Sequence, residues 1–140
     1  MSDAIAPQQK EAVAARARYC CEYCLSQERY SPDPFSVDHI EPLKSGGKNT
    51  PDNLAYACMG CNGRKFTSKT AFDPVTGEIA PLFHPRRQQW GEHFTWNEDF
   101  TKIIGLTATG RATIERLQLN RTGVVSLRHL LIKVDRHPPY

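Results

Sequence analysis

Residues 20–24 read Cys-Cys-Glu-Tyr-Cys and residues 58–62 read Cys-Met-Gly-Cys-Asn, and the two C-x2-C pairs inside them decide how the rest of the chain is read. A two-residue gap lets both thiolates of a tight turn face one ion. Two such turns close a tetrahedral S4 shell suited to structural zinc, with Zn–S bonds of about 2.3 Å. Cys21, Cys24, Cys58 and Cys61 are therefore the expected zinc ligands. Cys20 would replace Cys21 only at the less usual C-x3-C gap, so it is assigned to packing or a free thiol. A thioredoxin-like reading of Cys21–Cys24 lacks the surrounding β-α-β pattern. No apolar stretch of the kind a secretion signal carries opens the sequence, which favours metal over disulfides.

Composition agrees that a staple is needed. The 140 residues are 39% hydrophobic and 24% charged, with 10 prolines, an apolar share below the globular norm. One domain with an appended subdomain is expected: residues 1–70 around the cysteines, and residues 71–140 as an extension packed on them. No apolar run reaches the roughly 18 to 20 residues of a membrane helix, so a soluble, cytoplasmic protein is expected. A net charge of +3 and a pI near 8.6 permit a polyanionic partner without requiring one. Any nucleic-acid site must come from local clustering.

Outward from the knuckles the fold class reads as α+β. Residues 7–18 open with Pro7 at a plausible first helical position, predicting a helix that leads into the first knuckle. The β-rich run bounded by Pro34 and Pro42 predicts a strand over 35–41, residues 44–53 a loop, and 54–58 a second strand delivering the second knuckle. From Asn62, NGRKFTSKTAF has helical length, with Lys65, Phe66 and Lys69 one turn apart. In the second half, 73–78 is a turn, and 92–96 with 101–106 form a β-hairpin. A helix over 107–120 follows, capped by Thr107 or Thr109. A last helix over 124–135 carries Val124, Leu127, Leu131 and Val134 on one apolar face.

Between the knuckles lies a concentration of polar residues: Asp38-His39, Ser45-Gly46-Gly47-Lys48, Asn53, and Asn62-Gly63-Arg64-Lys65. An Asp and a His near a strand end, with an Asn on a helix packed across it, offer two hard oxygen ligands and one imidazole. Phosphodiester hydrolysis uses that set: a divalent ion neutralises the scissile phosphate while neutral imidazole takes a proton from water. Mg²⁺ suits oxygen ligands and keeps several waters. Successive strand residues point to opposite faces, so Asp38 and His39 share a site only where the strand bulges or ends. Lys44, Lys48, Arg64 and Lys65 are candidate phosphate contacts. Arg86, Arg87, Trp90 and Trp96 either meet nucleic acid or pack the extension, and packing is the favoured reading.

The series Cys21-x2-Cys24, Val37-Asp38-His39-Ile40-x-Pro42, Gly46-Gly47, Asn53-Leu54 and Cys58-x2-Cys61-Asn62-x2-Lys65 resembles the zinc-stapled HNH endonucleases over about residues 16–66. The resemblance implies a ββα-metal fold acting on DNA, duplex DNA first. It implies His39 as general base, and Asp38 with Asn62 as holders of one catalytic ion (Mg²⁺, Mn²⁺ or another divalent ion). Asn53 is then the middle Asn that orients the His-bearing loop. The third letter is here Asn62 rather than His. A zinc-ribbon module that binds nucleic acid without cutting is the competing expectation, and it has no need for Asp38, His39 and Asn62 together.

Overall fold

Two short strands bring the knuckles side by side. In a computed structural model describing residues 5–140, β1 (Ser36–His39) pairs antiparallel with β2 (Leu54–Ala57), setting Asp38 opposite Ala55 and His39 opposite Leu54. The chain then turns straight into α2 (Met59–Lys65), whose first turn is capped by the Cys58 sulfur accepting from the Cys61 N–H. β1, β2 and α2 thus follow in the order of the expected ββα unit. Upstream, α1 (Pro7–Arg16) starts at Pro7, where the missing N–H breaks no helical bond, and buries Val13 and Ala14. Arg16 fastens it to β2 by donating to the carbonyls of Pro51 and Leu54.

The helix expected from Asn62 onward stops at Lys65. Phe66 takes φ 50° and ψ −118°, and residues expected to be helical instead form β3 (Thr70–Phe72), antiparallel to β4 (Ile79–Pro81). The anticipated turn at 73–78 joins them. Local helical phase loses here to strand pairing, with Asp73-Pro74 closing the segment. The expected later hairpin is present as β5 (Phe94–Trp96) with β6 (Ile103–Gly105), although residues 92–93 belong to a short α3 (Trp90–His93). Thr107 caps α4 (Ala108–Leu117), its hydroxyl accepting from Gly110 N–H at 3.0 Å.

The last helix, α5 (Thr122–Ile132), corrects the apolar-face expectation. Val134 lies beyond it and is exposed, and the one fully buried residue on it is Arg128. That guanidinium donates to the carbonyls of Leu119 (2.8 Å), Thr101 (3.0 Å) and Cys24 (3.3 Å), and its charge lies over Trp96. Backbone carbonyls thus take the place of a carboxylate partner, and they tie the extension to the first knuckle. One hydrophobic cluster runs from Tyr23, Phe35 and Leu54 through Phe83 and Phe94 to Leu117 and Leu119. Among the described residues, no helix is long and apolar enough to cross a membrane.

Asp73 is fully buried and receives both Nε and Nη2 of Arg111, at 2.9 and 2.8 Å, together with the Val75 N–H and the Thr76 hydroxyl. Arg111 foremost holds its carboxyl well below the usual carboxylate range. A depressed folded pKa contributes stability that is present above the unfolded value, about 4, and is lost as pH falls below it. Asp73→Asn should therefore lower Tm at pH 7, and the gap to wild type should shrink on going to pH 3. Thermal melts at the two pH values check this.

Candidate functional site

Four sulfurs meet where the two knuckle turns converge. The Sγ atoms of Cys21, Cys24, Cys58 and Cys61, all buried, lie within 4.8 Å of one another, and Cys24 and Cys58 are 3.7 Å apart. A regular tetrahedron with Zn–S bonds of about 2.3 Å places its sulfurs about 3.8 Å apart. The quartet is thus arranged to bind a zinc ion. Backbone N–H groups of Cys24 and Cys61 donate to Cys21 and Cys58 sulfur. Arg121, the residue before α5, donates to Cys58 Sγ (3.4 Å) and Cys61 Sγ (3.6 Å). Burial works against its charge, and the Cys61, Cys24 and Cys58 thiolates together outweigh that, raising its pKa. Gly60 makes room: a Cβ there would sit 2.5 Å from Arg121 Nη2. Cys20 is buried but outside the quartet, facing the Arg18 carbonyl.

On the α2 side of the hairpin, Asp38, His39 and Asn62 line one open cavity of about 310 Å³, together with Pro42, Lys44 and Phe66. β1 ends at His39 without a bulge, so the strand end lets neighbours of opposite facing reach one opening. Asp38 is only 3% exposed. The Tyr23 hydroxyl donates to its Oδ2 at 2.7 Å, and Lys65 Nζ lies 3.3 Å from Oδ1 and 3.2 Å from Oδ2. Burial pushes the Asp38 carboxyl above its ordinary range, against the pull of Lys65 and the Tyr23 hydrogen bond. The Asn62 amide nitrogen donates to Ser36 Oγ at 3.0 Å, so its oxygen end is the one a cation would use.

The loop carrying His39 is built around Asn53. Its Oδ1 accepts from Glu41 N–H at 2.8 Å, its Nδ2 donates to the carbonyls of Glu41 and Lys48, and its own carbonyl accepts from Ile40 N–H. Gly47 is needed where the loop closes, since a Cβ would overlap the Glu41 carbonyl oxygen at 1.8 Å. From the same loop, Asn49 Oδ1 is hydrogen-bonded to His39 Nε2.

Of the four candidate phosphate contacts, Lys44, Lys48 and Arg64 are exposed, and Lys44 lines the cavity. Lys65 is a correction. It is 1% exposed and bonded to Asp38 and the carbonyls of His39 and Ile40, so it braces the strand end from inside and cannot face a phosphate. The tryptophans pack: Trp90 donates to the Tyr23 carbonyl and sits between Phe94 and Trp96, while Arg86 is ion-paired with Glu22. Sequence reasoning missed Tyr23, Asn49 and Arg121. Asn49 at least lay in the polar loop already singled out, whereas Arg121 carries no local signal of its nearness to the sulfurs.

Fold and site together define a small zinc-knuckle domain of the ββα kind. Residues 21–67, about a third of the chain, match the model of the HNH endonuclease family. No curated protein matches this chain.

Proposed function

We propose that the chain is a metal-dependent endonuclease that hydrolyses DNA phosphodiester bonds, with duplex DNA as the first substrate. The observation that carries this reading is the gathering of His39, Asp38 and Asn62 on one open cavity beside the zinc-stapled helix. His39 is the general base. An amide oxygen only accepts hydrogen bonds, so with Asn49 Oδ1 on Nε2 the proton sits on Nε2 and Nδ1 is the basic nitrogen. Asn53 fixes the loop that aims the ring.

Asp38 and Asn62 supply the oxygen donors for one divalent ion, Mg²⁺, Mn²⁺ or another. The carboxylate has about four lone-pair directions; Tyr23 and Lys65 use some of them, and the residue still lines the cavity. Hard oxygen donors of this kind fit a cation that keeps much of its water. When bound, such an ion would neutralise charge on the scissile phosphate and the leaving oxygen. Lys65 keeps Asp38 placed at the strand end, at the cost of weakening its hold on a second cation. Lys44, Lys48 and Arg64 would meet flanking phosphates, giving the salt-dependent part of binding.

Few protein ligands bind a hard cation weakly, whereas the thiolate shell is closed. Brief EDTA treatment should abolish cleavage without releasing zinc or changing the folded spectrum, and added Mg²⁺ or Mn²⁺ should restore it. Asp38→Ala and Asn62→Ala should each raise the Mg²⁺ concentration needed for half-maximal cleavage without releasing zinc. Cleavage that persists on zinc alone would overturn the two-metal division. The non-cutting zinc-ribbon reading has one observation in its favour: Asp38 already carries Lys65 and Tyr23 as partners. Binding of DNA with no cleavage under any divalent ion would establish it.

A further inference from the structure

The chain must turn at Phe66 to leave α2 for β3, but neither the turn nor the core calls for a phenylalanine there. Its φ of 50° and ψ of −118°, with the Ser68 N–H donating to the Lys65 carbonyl at 2.9 Å, make residues 65–68 a type II′ turn with Phe66 at the first central position. Glycine takes that position without steric cost, and a bulky side chain is strained there. Burial does not offset the strain, because Phe66 is 71% exposed. A single exposed apolar residue needs no explanation. An exposed phenylalanine at a glycine position, on the rim of the cavity that holds His39, Asn62 and Lys44, does.

We propose that Phe66 is the base-contacting residue of this site: its ring lies against the face of a nucleobase exposed in single-stranded or locally opened DNA, beside the phosphate addressed by His39, while Lys44 meets a neighbouring phosphate. This rests on the nuclease reading above. A phosphate gives a phenyl ring nothing to hold, whereas every nucleobase offers a π-face, and stacking on an aromatic side chain is tolerant of sequence. A ring without hydrogen-bonding groups reads the presence of a base and not its identity. The strained turn holds that ring out at the opening, away from the core it would otherwise join.

The test uses the full chain carrying His39→Ala, so that the probe is not cut, with Mg²⁺ present. Two fluorescent probes are compared: a mixed-sequence DNA strand of about 20 nucleotides, and an abasic oligomer with the same number of phosphates. Phe66→Ala should weaken binding of the base-bearing strand about tenfold and leave the abasic oligomer within about twofold, and Phe66→Trp should restore binding. Phe66→Gly suits the turn, so it should keep or raise Tm while showing the same loss, which separates lost stacking from lost folding. Equal losses on the two probes, or none, overturn the proposal while leaving the nuclease reading intact. A protein that binds neither probe nor the corresponding duplex overturns both.

Discussion

Cys58→Ser is expected to leave almost no folded protein. The substitution removes one of four buried thiolates held within 4.8 Å of each other, and Cys58 also caps α2 and receives Arg121. Structural zinc contributes an apparent binding free energy of about 10 to 16 kcal/mol, as large as the whole stability of an ordinary domain, about 5 to 15 kcal/mol. A chain whose apolar share is only 39% has little to replace it. Wild-type protein should contain one zinc per chain by elemental analysis, and the Cys58→Ser variant should be recovered in low yield, without zinc and without a cooperative melt. Cys20→Ser, outside the quartet, should retain both zinc and fold. Folded, zinc-free wild-type protein would contradict the assignment.

The second large effect is on the reaction and leaves the fold untouched. His39 lies at the end of β1, half-buried, with its ring held by Asn49. The proposed role of His39 as general base is worth on the order of 10² to 10⁴ in rate, so on that proposal His39→Ala should lose cleavage by that factor while keeping zinc content, Tm and DNA affinity. Asn49→Ala should show a smaller loss, because it frees the ring's tautomer and orientation without removing the base. The ¹⁵N shifts of the His39 imidazole distinguish the two: in Asn49→Ala the proton should no longer be confined to Nε2.

The zinc quartet was legible because its signal is local: two turns of fixed spacing each present two thiolates, whatever the rest of the chain does. The ββα order was legible for a related reason, since prolines at 34 and 42 bounded one strand and the knuckle at 58–61 had to follow the other. Lys65 shows where such reading stops. On a solvated helix it would be a phosphate contact, yet the helix faces the strand end and turns its last residue inward onto Asp38. The end of α2 at Phe66 was invisible because strand pairing of residues 70–72 with 79–81 decides it, and that partner lies outside any local window. Arg128 was hidden in the same way. Its carbonyl partners come from residues 24, 101 and 119, which no spacing rule connects.

The most direct measurement is conversion of supercoiled plasmid by purified wild-type and His39→Ala proteins, each fully loaded with zinc, in the presence of Mg²⁺ or Mn²⁺ and in EDTA. The expected result is nicked or linear DNA from wild type only with the added divalent ion, and a loss on the order of 10² to 10⁴ in rate for His39→Ala under the same conditions. Cleavage by His39→Ala at the wild-type rate, or intact plasmid with wild type under every divalent ion, would contradict it.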